Sequence, residues 1–242
     1  MKKPLVLFAS AIVASTLVTA RAQPGPPPGP NIDGALIKLF GDHPAFSATM
    51  EFHTTPVSGE EMSMTGKFAL RDGNSRVEMD MSSMQGGRMS PQAAAHMKQM
   101  GMSKMVIISR RDKQVSYMIY PEMHAYMERA TPNAGAPAAE YKSEVTKLGS
   151  ETVDGHECVK NKVVATGPDG ASHEYTVWNA NDLKQFPVKI QMSEHGMSMV
   201  MLYKDIKLDR PDAAQFDPPA EFKKYDDMMS LMMSRAGGLP RR

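Results

Sequence analysis

Sulfur is the chemistry this sequence carries in excess: 23 of its 242 residues are methionine, and Cys158 is the single cysteine. A thioether has two uses. It fills irregular apolar space, because methionine is unbranched and polarizable, and it ligates soft monovalent metals such as Cu(I) and Ag(I). The stretch SEHGMSMVML, residues 193–202, sets Met197, Met199 and Met201 at alternate positions behind His195-Gly196. Alternate residues of a strand lie ~7 Å apart, so one strand cannot surround an ion. A metal site needs methionines from several strands, or help from His195. Three uses of the methionines stay open at this point: ordinary core, an adaptable wall for a hydrophobic ligand, or a soft-metal site.

Other reactive side chains point away from catalysis. GHEC places His156 and Cys158 on one side of a strand and Glu157 on the other. A Cys-His catalytic pair is normally assembled from distant segments, so the expected arrangement is an exposed histidine beside a small buried thiol. His43, His53, His96, His124, His173 and His195 form no i, i+4 pair. There is no nucleophile elbow, zinc-protease helix motif, phosphate loop or paired-cysteine motif. No catalytic residue, metal ligand set or cofactor is assigned, and the chain is expected not to be an enzyme. Trp178 suits either the rim of a cavity, where ring and N–H meet an amphipathic ligand, or a position under the following loop. The formal net charge of +1 provides no field that would draw in nucleic acid.

The elements that must position these residues begin after a leader. Lys2 and Lys3, an apolar run from Leu5 to Val18 and the small-residue site Ala20-Arg21-Ala22 predict a signal peptide over 1–22, cleaved between Ala22 and Gln23. The run is too short for a membrane span, and no cysteine follows for lipid attachment. A periplasmic or secreted protein is expected. Residues 23–33 read as a Pro/Gly-rich linker, 34–40 as a short helix, 34–225 as one mainly-β domain, and 226–242 as a methionine-rich helical or flexible tail.

Within the domain the period is two. Phe46, Ala48, Met50 and Phe52 share a face, as do Met62, Met64, Phe68 and Leu70, and then Val77, Met79 and Met81. RDGN, 71–74, is a turn. Ser90-Pro91 opens a helix over 90–100. Strands flank Asp112-Lys113, and a short one spans 124–128. Residues 129–140 form a surface connection. Further strands are expected near 144–149, 157–166, 172–179, 187–194 and 197–208, with a turn at 167–170. Tyr225, Met228, Met229 and Met232 have helical spacing within 221–236.

The hairpin around His195-Gly196 has a predictable register. A two-residue turn sets Met192 opposite Met199, Ile190 opposite Met201 and Val188 opposite Tyr203, all apolar pairs. A three-residue turn would oppose Gln191 to Met199 and Lys189 to Met201. Directly opposed residues share a face, so the two-residue turn is expected.

KLGSETVDGHECVKNKVV (147–164) with YTVWNANDLKQFPVKIQM (175–192) resembles the second half of the DUF4412 group of exported proteins, which is related to the LolA/LolB-like periplasmic lipoprotein carriers. SYMIYPEMHAYME (116–128) is similar to that group's central hairpin. MLYKDIKLDRPDAAQFDPPAEFKK (201–224), with Phe216, Pro218 and Pro219, is similar to its last strand and ending. The resemblance implies a mainly-β (α+β) fold: a curved antiparallel sheet or open half-barrel of about ten strands, with two or three helices on or near the concave side. It implies a hydrophobic, acyl-chain or lipid-like ligand in that concavity. The candidate lining is Met50, Phe52, Met62, Met64, Phe68, Met79, Met81, Trp178, Met192, Met199, Met201 and Tyr203. No protein partner is identified.

Overall fold

The computed structural model describes residues 32–56, 60–86, 90–132, 135–194 and 196–236. The expected leader, most of the expected linker, and His195 lie outside these residues. Three helices are present among the described residues: α1 (Gly34–Lys38), α2 (Pro91–Gln99) and α3 (Met228–Ala236). The strands are β1 (Ala45–Thr55), β2 (Met62–Arg71), β3 (Asn74–Asp80), β4 (Gln85–Gly86), β5 (Lys104–Arg110), β6 (Val115–Tyr120), β7 (Ala125–Ala130), β8 (Lys142–Val153), β9 (His156–Thr166), β10 (Ser172–Ala180), β11 (Phe186–Glu194), β12 (Met197–Lys207) and β13 (Lys223–Tyr225). They form one open, curved sheet of 13 strands in the order β13-β7-β6-β5-β3-β2-β1-β12-β11-β10-β9-β8, with β4 paired to β2.

Local chemistry sets the corners. Asp72-Gly73 and Asp154-Gly155 both take positive φ and turn two-residue hairpins whose twist matches the flanking strands. At β5–β6 and β6–β7 a 3-10 turn ends on a left-handed residue, Gln114 or His124. The Asp33 carboxylate accepts from Leu36 N at 2.9 Å and starts α1. The Ser90 hydroxyl accepts from Ala93 N at 3.1 Å and starts α2 behind Pro91.

Alternation gives the sheet two different faces. One carries Phe46, Ala48, Met50 and Phe52 of β1, set opposite Leu70, Phe68, Gly66 and Met64 of β2. α1 closes over this face. The Phe40 ring just beyond α1 lies 4.7 Å from Phe46, 5.9 Å from Phe68, 5.8 Å from Phe186 and 5.6 Å from Tyr203, between centroids. Gly66 is required here by close approach: a Cβ would sit 2.3 Å from the Glu78 carbonyl oxygen of β3.

In the chain after β12 the helical spacing read over 221–236 holds only from Met228, and a crossing segment and a short strand come first. The crossing segment runs over the opposite face and lays Phe216 on Ala69, Val106, Ile108, Tyr117 and Ile119. Arginines of the sheet hold the crossing. Arg71 donates to Pro211 O (2.5 Å), Arg76 to Gln215 O (2.9 Å) and Arg110 to Phe216 O (3.2 Å). Lys223–Tyr225 then pairs in parallel with Ala125–Met127, because β7 offers an unpaired edge. Only after this does α3 begin. Its Ser230 N donates to Asp227 Oδ1 at 2.7 Å, and its Leu231 is buried against Tyr120, Met123 and Ala125 on the first face. Met229, expected on the packed side, is 69% exposed. At the other edge β8 is exposed along nearly its whole length. The Gly149 irregularity and the charges of Lys142, Glu144 and Lys147 blunt it against pairing.

Two predictions follow from these contacts. Gly66→Val forces β2 away from β3 and is expected to cost more than about 2 kcal/mol in urea unfolding; unchanged stability would show that the β2–β3 ladder accommodates a side chain. The second concerns Arg110, which binds Asp112 through both oxygens (2.9 and 2.8 Å) and Asp217 at 2.6 Å. The hydrogen bond from Arg110 holds the Asp112 carboxyl below its ordinary range. Burial pushes Asp217 upward, but hydrogen bonds from Lys113 and Arg110 outweigh it and leave Asp217 lowered too. Carboxylates lowered in the folded state stabilise it above their unfolded value, about pH 4, and lose that contribution as pH falls through the folded value. The melting temperature is therefore expected to drop below about pH 4, and Arg110→Leu is expected to lower it at pH 7 while flattening the acid limb.

Candidate functional site

Strand pairing assembles the candidate residues into rows across the first face. β11 and β12 pair Met192 with Met199, Ser193 with Ser198 and Ile190 with Met201, the register of a two-residue turn. Through β1 and β2 one row reads Tyr175, Met192, Met199, Thr54, Met62. The next reads Val177, Ile190, Met201, Phe52, Met64. A third reads Tyr203, Met50, Gly66, Met79, Met105. Met50, Phe52, Met64, Phe68, Met79, Met201 and Tyr203 are buried. Met62, Met192 and Met199 are half-buried, at the end of the face next to the β11–β12 turn. Burial pushes the Tyr203 hydroxyl pKa upward, and the hydroxyl donates to the Met201 sulfur at 3.7 Å.

Two of the expected positions differ. Met81 is not on a strand: β3 stops at Asp80, whose carboxylate caps a 3-10 turn starting at Met81, although Met81 still packs against the same cluster. Trp178 is on the opposite face. Tyr175 and Val177 carry the parity that pairs with Met192 and Ile190, so Trp178 pairs with Lys189 and Lys160 instead. Its ring lies between the two ammonium groups, 4.3 Å from Lys189 Nζ and 4.9 Å from Lys160 Nζ. Its indole N–H donates to Glu151 Oε2 at 2.9 Å. That hydrogen bond, followed by the one from Lys160, lowers the Glu151 pKa. The tryptophan is buried between lysine stems beside an irregularity in the β10–β11 ladder, and it joins the same large buried cluster as the methionine rows without standing in one of them.

His156 and Cys158 form no nucleophile pair. His156 Nδ1 is 2.8 Å from Asp182 Oδ2, while the thiol donates to the His156 backbone oxygen at 3.4 Å. Burial pushes the Cys158 thiol pKa up, which keeps it protonated. Among the described residues, no three His, Cys, Asp or Glu side chains gather as a metal site. No described helix is long and apolar enough to cross a membrane.

Three features were not read from the sequence. Thr54 sits in the methionine row between Met199 and Met62, 6% exposed, with its hydroxyl unpartnered among the described residues. Its position on the Phe46–Phe52 parity was the available signal. The second is a seam under α3. There Met102, Met105, Met118, Met123, Met127, Met228 and Met232 surround Tyr120, Ala125 and Leu231. Alternation through Met105, Ile107, Met118 and Tyr120 was its signal. The third is a pair of adjoining clefts of about 410 and 350 Å³ on the opposite face, both bordered by Thr49, Lys67 and Glu78. They are rimmed by charged residues; the second also touches Gly66, Met79 and Met105 of the third row, and neither is lined by Thr54, Met62, Met192 or Met199.

Burial separates the effects of substitutions on the stripe. Met201→Asp places an unpaired carboxylate at a 1% exposed position and is expected to cost more than about 3 kcal/mol. Met199→Asp, half-buried, is expected to cost less than half as much in the same denaturant titration, and the double variant is expected not to fold. Equal, small effects at both positions would contradict the face assignment.

A family model described as a domain of unknown function, DUF4412, matches residues 46–186. The similar ending over 201–224 lies beyond that match. No protein among those of curated function matches the chain. Among solved structures, a LolA superfamily protein from Nitrosomonas europaea is similar at 13% identity and a TM-score of 0.43, covering 77% of this chain and 96% of that one. The lipoprotein LppX from Mycobacterium tuberculosis is similar at 12% identity and 0.39, covering 74% and 96%. LprF from Mycobacterium bovis is similar at 10% and 0.38, covering 75% and 94%. With more than half of its length matched by the family model, the chain belongs to the DUF4412 family.

Proposed function

We propose that this protein is an exported, non-catalytic carrier or sensor that holds an amphipathic hydrophobic molecule, of acyl-chain or lipid-like chemistry, against the methionine-bearing face of its sheet. The observation that carries this reading is the Thr54 hydroxyl, buried and unpartnered between Met199 and Met62. A buried hydroxyl without a hydrogen bond destabilises a fold by about 1–3 kcal/mol, whereas valine fits the same space and suits a strand. A ligand with a polar group at that point gives the hydroxyl its partner. Met62, Met192 and Met199 around it are half-buried and flexible, and so adapt to an apolar body. Binding then rests on apolar burial, at roughly 25 cal/mol per Å², less the cost of ordering. Export rests on the leader pattern of Lys2, Lys3 and the apolar run to Val18.

Native mass spectrometry of protein purified gently from a periplasmic extract tests the reading. Adducts spaced by CH₂ units are expected on the wild type. Thr54→Val is expected to raise the stability of ligand-free protein by about 1 kcal/mol while reducing adduct occupancy. A bare wild-type mass would overturn the carrier reading in favour of an envelope scaffold whose face is filled by its own side chains. A Thr54→Val variant with full occupancy would remove the threonine from the site.

A further inference from the structure

We infer that the seam between α3 and the sheet binds a soft monovalent metal ion, Cu(I) or Ag(I), through methionine sulfurs. The first argument is the contrast between the two faces of the same strands. Facing Phe216, strands β5 to β7 present Val106, Ile108, Tyr117, Ile119 and Tyr126, with no methionine. Facing α3, they present Met105, Met118 and Met127, joined by Met102, Met123, Met228 and Met232. β-branched and aromatic residues are the ones that pack best on a pleated surface, and the first set follows that rule. On these strands packing alone gives no reason for the second set to depart from it, and here, unlike the central rows, a helix adds further methionines over the face. Thioether chemistry gives a reason.

The second argument is geometric. The methionine stripe of one strand cannot surround an ion, but here the sulfurs come from separate elements. Met118 and Met127 stand directly opposite each other on β6 and β7. Met228 and Met232 are one turn apart on the same side of α3. All four pack against the same small group of buried residues. The Tyr120 hydroxyl donates to the Met118 sulfur at 3.1 Å, which fixes that side chain. Met118, Met127, Met228 and Met232 are each half-buried, so an ion reaches them without unfolding of the sheet.

Thioethers are neutral, so the bound ion keeps its single charge. Charged groups near this seam include Glu122 and Arg235, both beside Gly101, Asp227 at the start of α3 and Glu128, paired with Lys224. Glu122 accepts from Ser103 Oγ at 2.9 Å, and Arg235 is engaged by donating to Met100 O at 3.2 Å. This site is at the α3 end of the face, independent of Thr54, and stands or falls separately from the carrier reading.

The test is titration of the full chain with Ag(I), and with Cu(I) under reducing, anaerobic conditions against a chromogenic chelator. The seam variant is Met118→Leu/Met127→Leu/Met228→Leu/Met232→Leu, in which volume is nearly conserved. The control is Met229→Leu/Met233→Leu, the exposed pair on the outer side of α3. Wild type and control are expected to take up one equivalent with the same affinity, and the seam variant to bind at least ~100-fold more weakly, about 2.7 kcal/mol. Absence of stoichiometric uptake by the wild type, unchanged affinity in the seam variant, or loss of binding in the control would each overturn the site. Methionine-methyl NMR of the wild type decides the matter even if the seam variant fails to fold. Ag(I)-induced shifts are expected at Met118, Met127, Met228 and Met232, and shifts confined to Met62, Met192 and Met199 would refute the assignment.

Discussion

The ladder between β1 and β12 is the interaction on which the rest of the structure depends. Almost every other pair in the sheet joins neighbours in sequence, as hairpins of a meander do. β1 and β12 instead bring Ser47 to Lys207 and Thr55 to Ser198, closing a loop of most of the domain, which carries an entropic cost no short hairpin pays. The compensation sits on top of the ladder. Phe46 and Phe68 come from one side of it, Phe186 and Tyr203 from the other, and Phe40 packs on all four. Aromatic pairs in such tilted and edge-on arrangements contribute about 0.5–1.5 kcal/mol each beyond their burial. α1 is only five residues long, too short to be stable alone. Its role is to deliver Leu36 and Phe40 to this junction.

Once the ladder is closed, the parity of every strand is fixed, and parity separates the chemistry of the two faces. Lysines, glutamates and arginines gather on the side where Trp178 is braced by Lys160 and Lys189 and where Arg71, Arg76 and Arg110 hold the crossing segment. The methionine rows, Thr54 and the aromatic cluster around Phe40 gather on the other. Composition alone could not make this division, because 23 methionines spread at random would appear on both. The Val/Ile side of β5 and β6 shows what these strands carry when the requirement is packing and nothing else.

Most of this parity was legible beforehand, because apolar identity tests register. Only a two-residue turn at His195-Gly196 opposes Met192 to Met199 and Ile190 to Met201, and the strands pair that way. Trp178 was not assigned by the same logic. Its neighbours in sequence suit either a cavity rim or a position under the following loop, and the distant pairing with Lys160 that helps to cover its ring is invisible locally. The C-terminal segment failed for a different reason. A three-residue parallel strand has no period to read, so Lys223–Tyr225 merged into the helical spacing that follows. The helix itself was legible, but its inward side was not. Leu231 is the anchor, and the methionines at 228 and 229 fall on different sides of it. The buried Thr54 hydroxyl was hidden by the ease with which a β-branched residue passes as an ordinary strand position.

The methionine face is a packed one. Its rows are largely buried, and the clefts described above open on the other side. A molecule joining such a face does so by exchange, taking the places of side chains that move aside. Leucine or isoleucine in those places would resist, since each has few rotamers and a fixed branched shape. Methionine has three rotatable bonds and a polarizable end, so it surrenders one set of contacts for another at small cost. Met105 shows how far such an exchange reaches, for it packs against both the central cluster and the α3 seam. Met105 in turn stands opposite Met79, and Met79 opposite Gly66, at the close approach of β2 to β3. The soft residues lie on both sides of a rigid point.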